Sequence, residues 1–404
     1  MHFVTEATGF NGGEPTLGVL KDGTIAVQAF TNVVERKPGV QGDKWKSVYS
    51  PPTNGQTLDP YIHVDPVTNR IFSSQLFGGC QLMATSDDGG ASWTPSAQCT
   101  PVDHQKIGSG PWHDPSNRLY PRAVYTCFNQ VADSACSVSP DGGRTWGPQV
   151  PVFVGADPSA KKGLDVDGFC GGLEGDPVSG PDGSIYLPRE FCGRPYVGVS
   201  QDDGVTWQTH AVSPPSGTVP IGYGANNPSV TVDPNGTLYY AWTGTNWHHY
   251  IAHSTDHGAS WSKPQQVSPP TVGSTTFPEI VAGRHGAVAT SYVGTPDTGK
   301  GPDDAPKEAR WYLYMSYSFD ANAAKPHWST MRVTTDPIEI GCIGRHGPNC
   351  GNGNLLDFNG ISLSPAGYAV MSYTDGCLAG CDQASRSSSK MVSVAIQTAG
   401  PTFR

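Results

Sequence analysis

The sequence predicts an all-β chain closed into a single ring of seven four-stranded sheets, and three observations predict it. An eight-residue turn motif recurs, a looser strand pattern recurs with it at blade-sized intervals, and each end of the chain reads as part of one incomplete sheet. Composition agrees. Apolar residues are 36% of 404, and Gly (50) and Pro (36) are abundant without a collagen-like period, as suits short strands and many turns. The length alone would allow more than one domain, but a repeated β architecture can hold it in one unit, so residues 1–404 are read as one domain.

The turn motif is S-x-D-x-G-x-x-W, and four segments match it without a gap: SDDGGASW at 86–93, SPDGGRTW at 139–146, SQDDGVTW at 200–207 and STDHGASW at 254–261. Each follows an alternating stretch such as YIAHS, and a further strand resumes after the Trp, so each reads as a hairpin turn. The chemistry suits a turn. Ser and Asp oxygens accept backbone N–H groups, Gly supplies positive φ, and Trp covers the turn with apolar area. Asp88, Asp141, Asp203 and Asp256 are accordingly read as structural acids rather than catalytic ones.

These octapeptides resemble the Asp box, or BNR repeat, of the sialidase-like β-propeller family. The resemblance implies that each box joins the two outer strands of a propeller blade, away from the active centre.

The looser repeat begins with a polar or acidic residue, followed by a strand, a turn and a second strand. Its seven instances start at Glu14, Asp59, Gly108, Asp176, Asn227, Phe277 and Phe358. GVQGDKW at 39–45 and SFDANAAKPHW at 318–328 read as decayed boxes. After the seventh instance no box follows, and the chain ends on KMVSVAIQT, one strand short of a blade, while MHFVTEATGF at the start is one strand too many. Completing the last blade with residues near 2–8 would remove the exposed edges. Six blades, the number in sialidases themselves, is the alternative. The longest insertion, 293–317 in blade six, is positioned to act as a lid over the central face.

Net charge is −10 with only 25 Lys plus Arg, which excludes the basic stripe that nucleic-acid binding needs. No apolar run is long enough to span a membrane as a helix. Ten cysteines fall as sequence neighbours, Cys80 with Cys99, Cys127 with Cys136, Cys170 with Cys192, Cys342 with Cys350 and Cys377 with Cys381. An even count in a loop-rich acidic chain predicts disulfides and a secreted or periplasmic location, with the export signal not in this sequence.

In a propeller the residues leading into each innermost strand, and the loops after each second strand, rim one face. The first group supplies Asp59, Glu174 and Glu279; the second is expected to supply Arg122, Arg189, Glu190, Trp247, His248 and Tyr292, with Arg310 from the insertion. Guanidinium forks bind carboxylates, aromatic faces stack on pyranose rings, and paired acids can work on a glycosidic bond. Glu190, Glu174, Glu279 and Tyr292 are the catalytic candidates; Arg122, Arg189, Arg310, Trp247, His248 and Asp59 are the binding candidates. Replacing Arg189 is expected to weaken substrate binding and leave folding nearly unchanged.

The resemblance implies an arginine trio, a Tyr–Glu pair and a loop aspartate. No Arg-Ile-Pro opens the first blade, where the nearest arginine is Arg36, and a third would come from Arg194 or Arg310. No cofactor is required. Structural calcium is an alternative reading for the acids Asp297, Asp303 and Asp304 and for Asp165, Asp167, Glu174 and Asp176, as are ordinary polar loops. The leading function is a sialidase-like exo-glycosidase on an acidic glycan. The alternatives are a polysaccharide lyase on uronic acids, with Tyr292 or His248 moving the proton, and a non-catalytic propeller that binds glycan or protein.

Overall fold

The computed structural model of the chain describes residues 1–39, 44–50, 57, 59–99, 103–130, 133–154, 172–212, 227–343, 355, 358–378 and 390–404. After β1 (His2–Asn11), the first sheet is β2 (Leu17–Val19), β3 (Ile25–Ala29), β4 (Asn32–Arg36) and β5 (Trp45–Tyr49). The second is β6 (Pro60–Val64), β7 (Ile71–Phe77), β8 (Cys80–Ser86) and β9 (Thr94–Cys99). The third is β10 (Asp103–Gly110), β11 (Ala123–Asn129), β12 (Ser134–Ser139) and β13 (Val150–Pro151). The fourth is β14 (Val178–Ser179), β15 (Ile185–Phe191), β16 (Arg194–Ser200) and β17 (Gln208–Ala211). The fifth is β18 (Ser229–Val232), β19 (Leu238–Thr243), β20 (His249–Ser254) and β21 (Gln265–Gln266). The sixth is β22 (Ser274–Ala282), β23 (Val288–Thr295), β24 (Arg310–Ser318) and β25 (Ser329–Arg332), with β26 (Glu339–Ile340) added beside β24. The seventh is β27 (Gly360–Leu363), β28 (Ala369–Asp375) and β29 (Met391–Ala399), and β1 returns as its fourth strand.

The first strands of successive sheets touch one another in order around a closed circle: β2, β6, β10, β14, β18, β22, β27 and β2 again. This is a seven-bladed β-propeller. Two glycines permit the close approach of neighbouring innermost strands, since a Cβ on Gly108 would collide with the Pro177 carbonyl and one on Gly175 with the Pro228 carbonyl. The ring closes where β1 pairs antiparallel with β29, Val4 opposite Ile396 and Ala7 opposite Ser393. Arg36 and Lys44 of the first blade both reach Glu6 on β1 at 2.8 Å, so the nearest arginine of that blade serves the seam.

Every pairing within a blade is antiparallel, so the turns sort onto two faces. The turns after first and third strands lie on one face, here the turn face. The starts of the innermost strands and the loops after second strands lie on the other, the mouth face.

All four motif turns join third to fourth strands, as the sequence predicts. Their bonding repeats. The Ser hydroxyl donates to the motif Asp and accepts from the Gly amide, as in Ser254 to Asp256 at 2.8 Å and Gly258 to Ser254 at 2.9 Å. The Asp in turn accepts the amide and hydroxyl of the residue before Trp; at Asp88, bonds from Ser92 and Ser86 hold the carboxyl down at about 2. In the third motif the acid doing this is Asp202, not Asp203: Asp202 accepts from Ser200 and from Thr206. The eight-residue spacing places it two residues after Ser200.

Asp203 has a different task. The fourth residue of every motif is left-handed, with φ of 68° at Gly89, 75° at Gly142, 59° at Asp203 and 56° at His257, and it faces the preceding blade. Asp203 accepts the amides of His113 and Asp114 at 2.8 and 2.9 Å, the Gly142 carbonyl accepts from Arg70 at 2.8 Å, and His257 pairs with the Tyr186 hydroxyl at 2.7 Å. The motif thus builds a turn with one residue and latches adjacent blades with the next. The decayed box at 318–328 keeps the first half, Ser318 donating to Asp320 at 2.8 Å.

Two predicted disulfides, Cys80–Cys99 and Cys127–Cys136, join residues directly opposite each other across β8/β9 and β11/β12. Cys192, Cys342 and Cys377 are also disulfide-bonded, and their expected partners Cys170, Cys350 and Cys381 lie outside the described residues. Among the described residues no helix is long and apolar enough to cross a membrane.

Replacing Asp202 with Ala removes three hydrogen bonds from one turn, and replacing Asp203 with Ala unlatches two blades. Each is expected to lower stability by about 1–3 kcal/mol in denaturant unfolding, and an unchanged midpoint in both would contradict the roles assigned. Glu35 on β4 lies against Gly90 of the next blade with neither oxygen hydrogen-bonded, and burial pushes its carboxyl up to about 7. A raised folded-state pKa means stability is complete below the usual carboxylate range and falls as pH rises through about 7. Glu35→Gln should therefore flatten the decline in melting temperature between pH 5 and 8, and an identical decline in both proteins would contradict it.

Candidate functional site

The residues leading into the innermost strands lie at the mouth face, and they are largely buried. Glu14, Asp59, Glu174 and Glu279 are each less than a tenth exposed. Asp176 is the open one, with its side chain a third exposed. The Lys106 ammonium stands 4.0 Å from the Asp176 carboxylate, 3.2 Å above the Phe358 ring and 5.1 Å from the Tyr61 ring. Carbon stems and ring faces make this tolerable for a cation taken almost wholly out of water. Glu279 accepts from the Ser229 hydroxyl at 3.0 Å. Burial first, and then the Asp176 charge, push its carboxyl well above the usual range, against the pull of Lys106.

Lys106 and His104 carry no mark in the sequence repeat, because the third instance of the repeat starts at Gly108 while the strand begins at Asp103. A bulge between Asp103 and Lys106 and a left-handed His104 (φ 55°) shift the register there. The usable signal is a lysine between Gln105 and Ile107 in an innermost strand, which has few ways to be satisfied except toward acids.

Beside this group lies Arg189 on β15. It is almost wholly buried, donating to the Ser134 hydroxyl at 2.7 Å and 3.5 Å from Asp133, while Ser134 donates to Glu174 at 2.8 Å. Burial pushes the Glu174 carboxyl up, partly countered by Arg189. The Arg189 guanidinium is flanked by the rings of Phe153 and Phe191 at 5.6 and 5.9 Å. Arg189 is thus set in the framework of the mouth, which corrects the expectation that its loss would leave folding untouched. Glu190, half-buried, accepts the Gly193 amide of its own hairpin, and burial raises its carboxyl to about 7.

Other expected residues are dispersed. Arg122 precedes β11 rather than following it, so it stands on the turn face, where it meets buried Asp65 at 3.1 Å. Tyr292 is fully buried within the sixth blade, stacked on Tyr314 and bonded to the Ser316 hydroxyl at 3.0 Å. Trp247 and His248 do lie on the mouth face, in the loop after β19; Trp247 packs against Gly301 and His248 approaches the Ser268 hydroxyl at 3.3 Å. Arg310 opens β24 on the same face, exposed, its amide donating to Asp297. Within the insertion β23 and β24 occupy both ends, and a short 3-10 turn at Pro302–Asp304 lies between them. Asp165 and Asp167 lie outside the described residues.

No family model matches the chain, and no curated protein does. Among solved structures it is similar to a protein of unknown function from Dyadobacter fermentans, at 13% identity, 98% of this chain and 97% of that one, TM-score 0.49. It is also similar to the intramolecular trans-sialidase from Ruminococcus gnavus (14%, 97% and 96%, TM-score 0.44) and to the Aleuria aurantia lectin (12%, 79% and 94%, TM-score 0.46). At such identities and scores these likenesses assign no chemistry to this chain.

Since Arg189 and Asp133 are paired under cover, Arg189→Ala is expected to destabilise the fold by about 3 kcal/mol in urea unfolding. A variant as stable as the parent would contradict its placement in the framework.

Proposed function

We propose that the chain is a glycan-cleaving enzyme, a glycoside hydrolase, working at the mouth of the channel with Glu279 as general acid and Asp176 as its carboxylate partner. One observation carries the reading: a buried carboxyl, Glu279 on the Ser229 hydroxyl, whose acid form burial favours, beside a more open carboxylate, Asp176, that faces a lysine. Two carboxyl groups in unlike environments are what glycosidic cleavage requires. Glu279 gives its proton to the departing glycosidic oxygen as the C–O bond breaks. Asp176 faces the positive charge that develops at the anomeric carbon, and a water completes the hydrolysis by adding its oxygen to that carbon and giving up a proton to a carboxylate of the pair. Lys106 fixes the Asp176 carboxylate, and Trp247, on the same face, offers an aromatic surface to a sugar ring.

The resemblance of the turns to Asp boxes supports a carbohydrate substrate. A sialidase-type mechanism has less support, because it needs three arginines on the substrate carboxylate, and Arg122 is on the far face while Arg189 is engaged with Ser134 and Asp133. Among the described residues the mouth gathers Glu14, Asp59, Glu174, Asp176 and Glu279 against Lys106 and Arg189, a balance that favours an uncharged glycan over an acidic one. A lyase would need a proton carrier within reach: Tyr292 is shut inside its blade, which leaves His248 on the mouth face as the carrier of that second reading, and the ultraviolet readout below separates it from hydrolysis. The disulfides support an oxidising, secreted or periplasmic setting.

The test is a panel of neutral and acidic oligosaccharides, read for new reducing ends and for ultraviolet absorption. Glu279→Gln and Asp176→Asn are each expected to lower kcat by about 10²–10⁴-fold with the melting temperature nearly kept. Because the Glu279 pKa is raised, its acid form persists above the ordinary carboxylate range and the rate falls only when pH climbs past it. That descending limb should vanish in the residual rate of Glu279→Gln. Wild-type turnover in both variants, or an unsaturated absorbing product, would overturn the proposal.

A further inference from the structure

Across the channel from Glu279, three side chains from three consecutive blades meet. Glu14 precedes β2, Asp59 precedes β6 and His104 lies at the start of β10. A carboxylate oxygen from each acid and a ring nitrogen of the histidine lie within 4.8 Å of one another, and all three residues are buried. We infer that this group is a binding site for one divalent borderline metal ion, of which Zn²⁺ is the representative.

The donor set selects the ion class. Two carboxylates and one imidazole make three protein ligands with a position left for water, an arrangement that zinc accepts, whereas calcium prefers six to eight oxygens. The supports around the ligands fit the same purpose. The His104 amide donates to Asp59 Oδ2 at 3.1 Å, which fixes that carboxylate, and the His104 ring stands edge-on to Phe358 at 5.8 Å, which fixes the imidazole. The bulge in β10 gives His104 its unusual backbone at this position, and bulges re-aim side chains.

A separate observation comes from Gln105. Its Nε2 donates to the Asp59 carbonyl, and its amide oxygen, on a residue 1% exposed, has no hydrogen-bond donor against it. A water bound to an ion is a strong donor to any acceptor it reaches, and this oxygen belongs to the residue that follows His104 and whose amide nitrogen is held by Asp59. The alternative, an imidazolium balanced by the two carboxylates, needs no ion and predicts a metal-free protein in the experiment below.

The experiment uses the full chain, stripped with chelator, exposed to Zn²⁺ and desalted before metal analysis. One equivalent of Zn²⁺ per chain is expected, with a rise in melting temperature. Cobalt substitution should give visible d–d bands of a site with nitrogen and oxygen ligands. His104→Gln and Asp59→Asn should each weaken Zn²⁺ binding at least tenfold and remove the bands. Should either variant fail to fold, the stoichiometry and cobalt spectrum of the parent protein decide the matter. Absence of stoichiometric metal in the parent, metal content unchanged in both folded variants, or binding of Ca²⁺ in preference to Zn²⁺ would each overturn the inference. None of these readouts depends on glycan turnover, so the site stands or falls separately from the proposed hydrolase.

Discussion

The structure depends on one constraint: the last blade of the ring is left one strand short, with an open edge, unless the two ends of the chain meet there. Here β1 supplies the missing strand to β29, β28 and β27, and Glu6 on β1 binds Arg36 and Lys44 from the next blade. Closure fixes the circumference. With the circumference fixed, the innermost strands come so close that only glycine fits at Gly108 and Gly175, and the residues leading into those strands are pressed together at one end. Burial of acids at the mouth follows from the geometry of the ring rather than from any one loop.

The same ring separates stability from chemistry. Hydroxyl, carboxylate and amide groups in the motif turns satisfy each other at the turn face, and the left-handed fourth residue of each turn, exemplified by Asp203, reaches the blade before it. The mouth face is the reverse. There Glu174, Glu279 and Asp176 are gathered about Lys106 and Arg189, and burial raises the carboxyls of Glu174 and Glu279. Strong local bonding at one face holds in place a set of poorly solvated acids at the other.

Much of this was legible in the sequence because turn chemistry is local. Spacing alone locates four turns, seven blades and the closing strand, and neighbouring cysteines locate two cross-strand disulfides. The candidate site was legible only in part. Asp59, Glu174, Asp176 and Glu279 follow from the blade pattern, since each precedes or begins an innermost strand. Arg122 was misplaced because a residue just before a second strand and one just after it stand at opposite ends of the barrel, and pattern alone does not give the strand's limits. Lys106 and His104 were missed because a bulge shifts the register, and a bulge has no reliable sequence mark. The roles of the adjacent acids Asp202 and Asp203 follow from their places in the motif: the S-x-D spacing makes Asp202 the turn acid, and Asp203 holds the left-handed fourth position that reaches the preceding blade.

The central claim is that chemistry resides at the mouth and the motif turns only hold the ring. It is tested most directly by hydrogen–deuterium exchange on the intact protein with and without the best-processed glycan of the panel. Protection is predicted at the starts of the innermost strands, in peptides covering 59–64, 103–110, 174–179 and 274–282, with none in the motif turns. Protection centred on the turns at 86–93, 139–146, 200–207 and 254–261 would contradict the account.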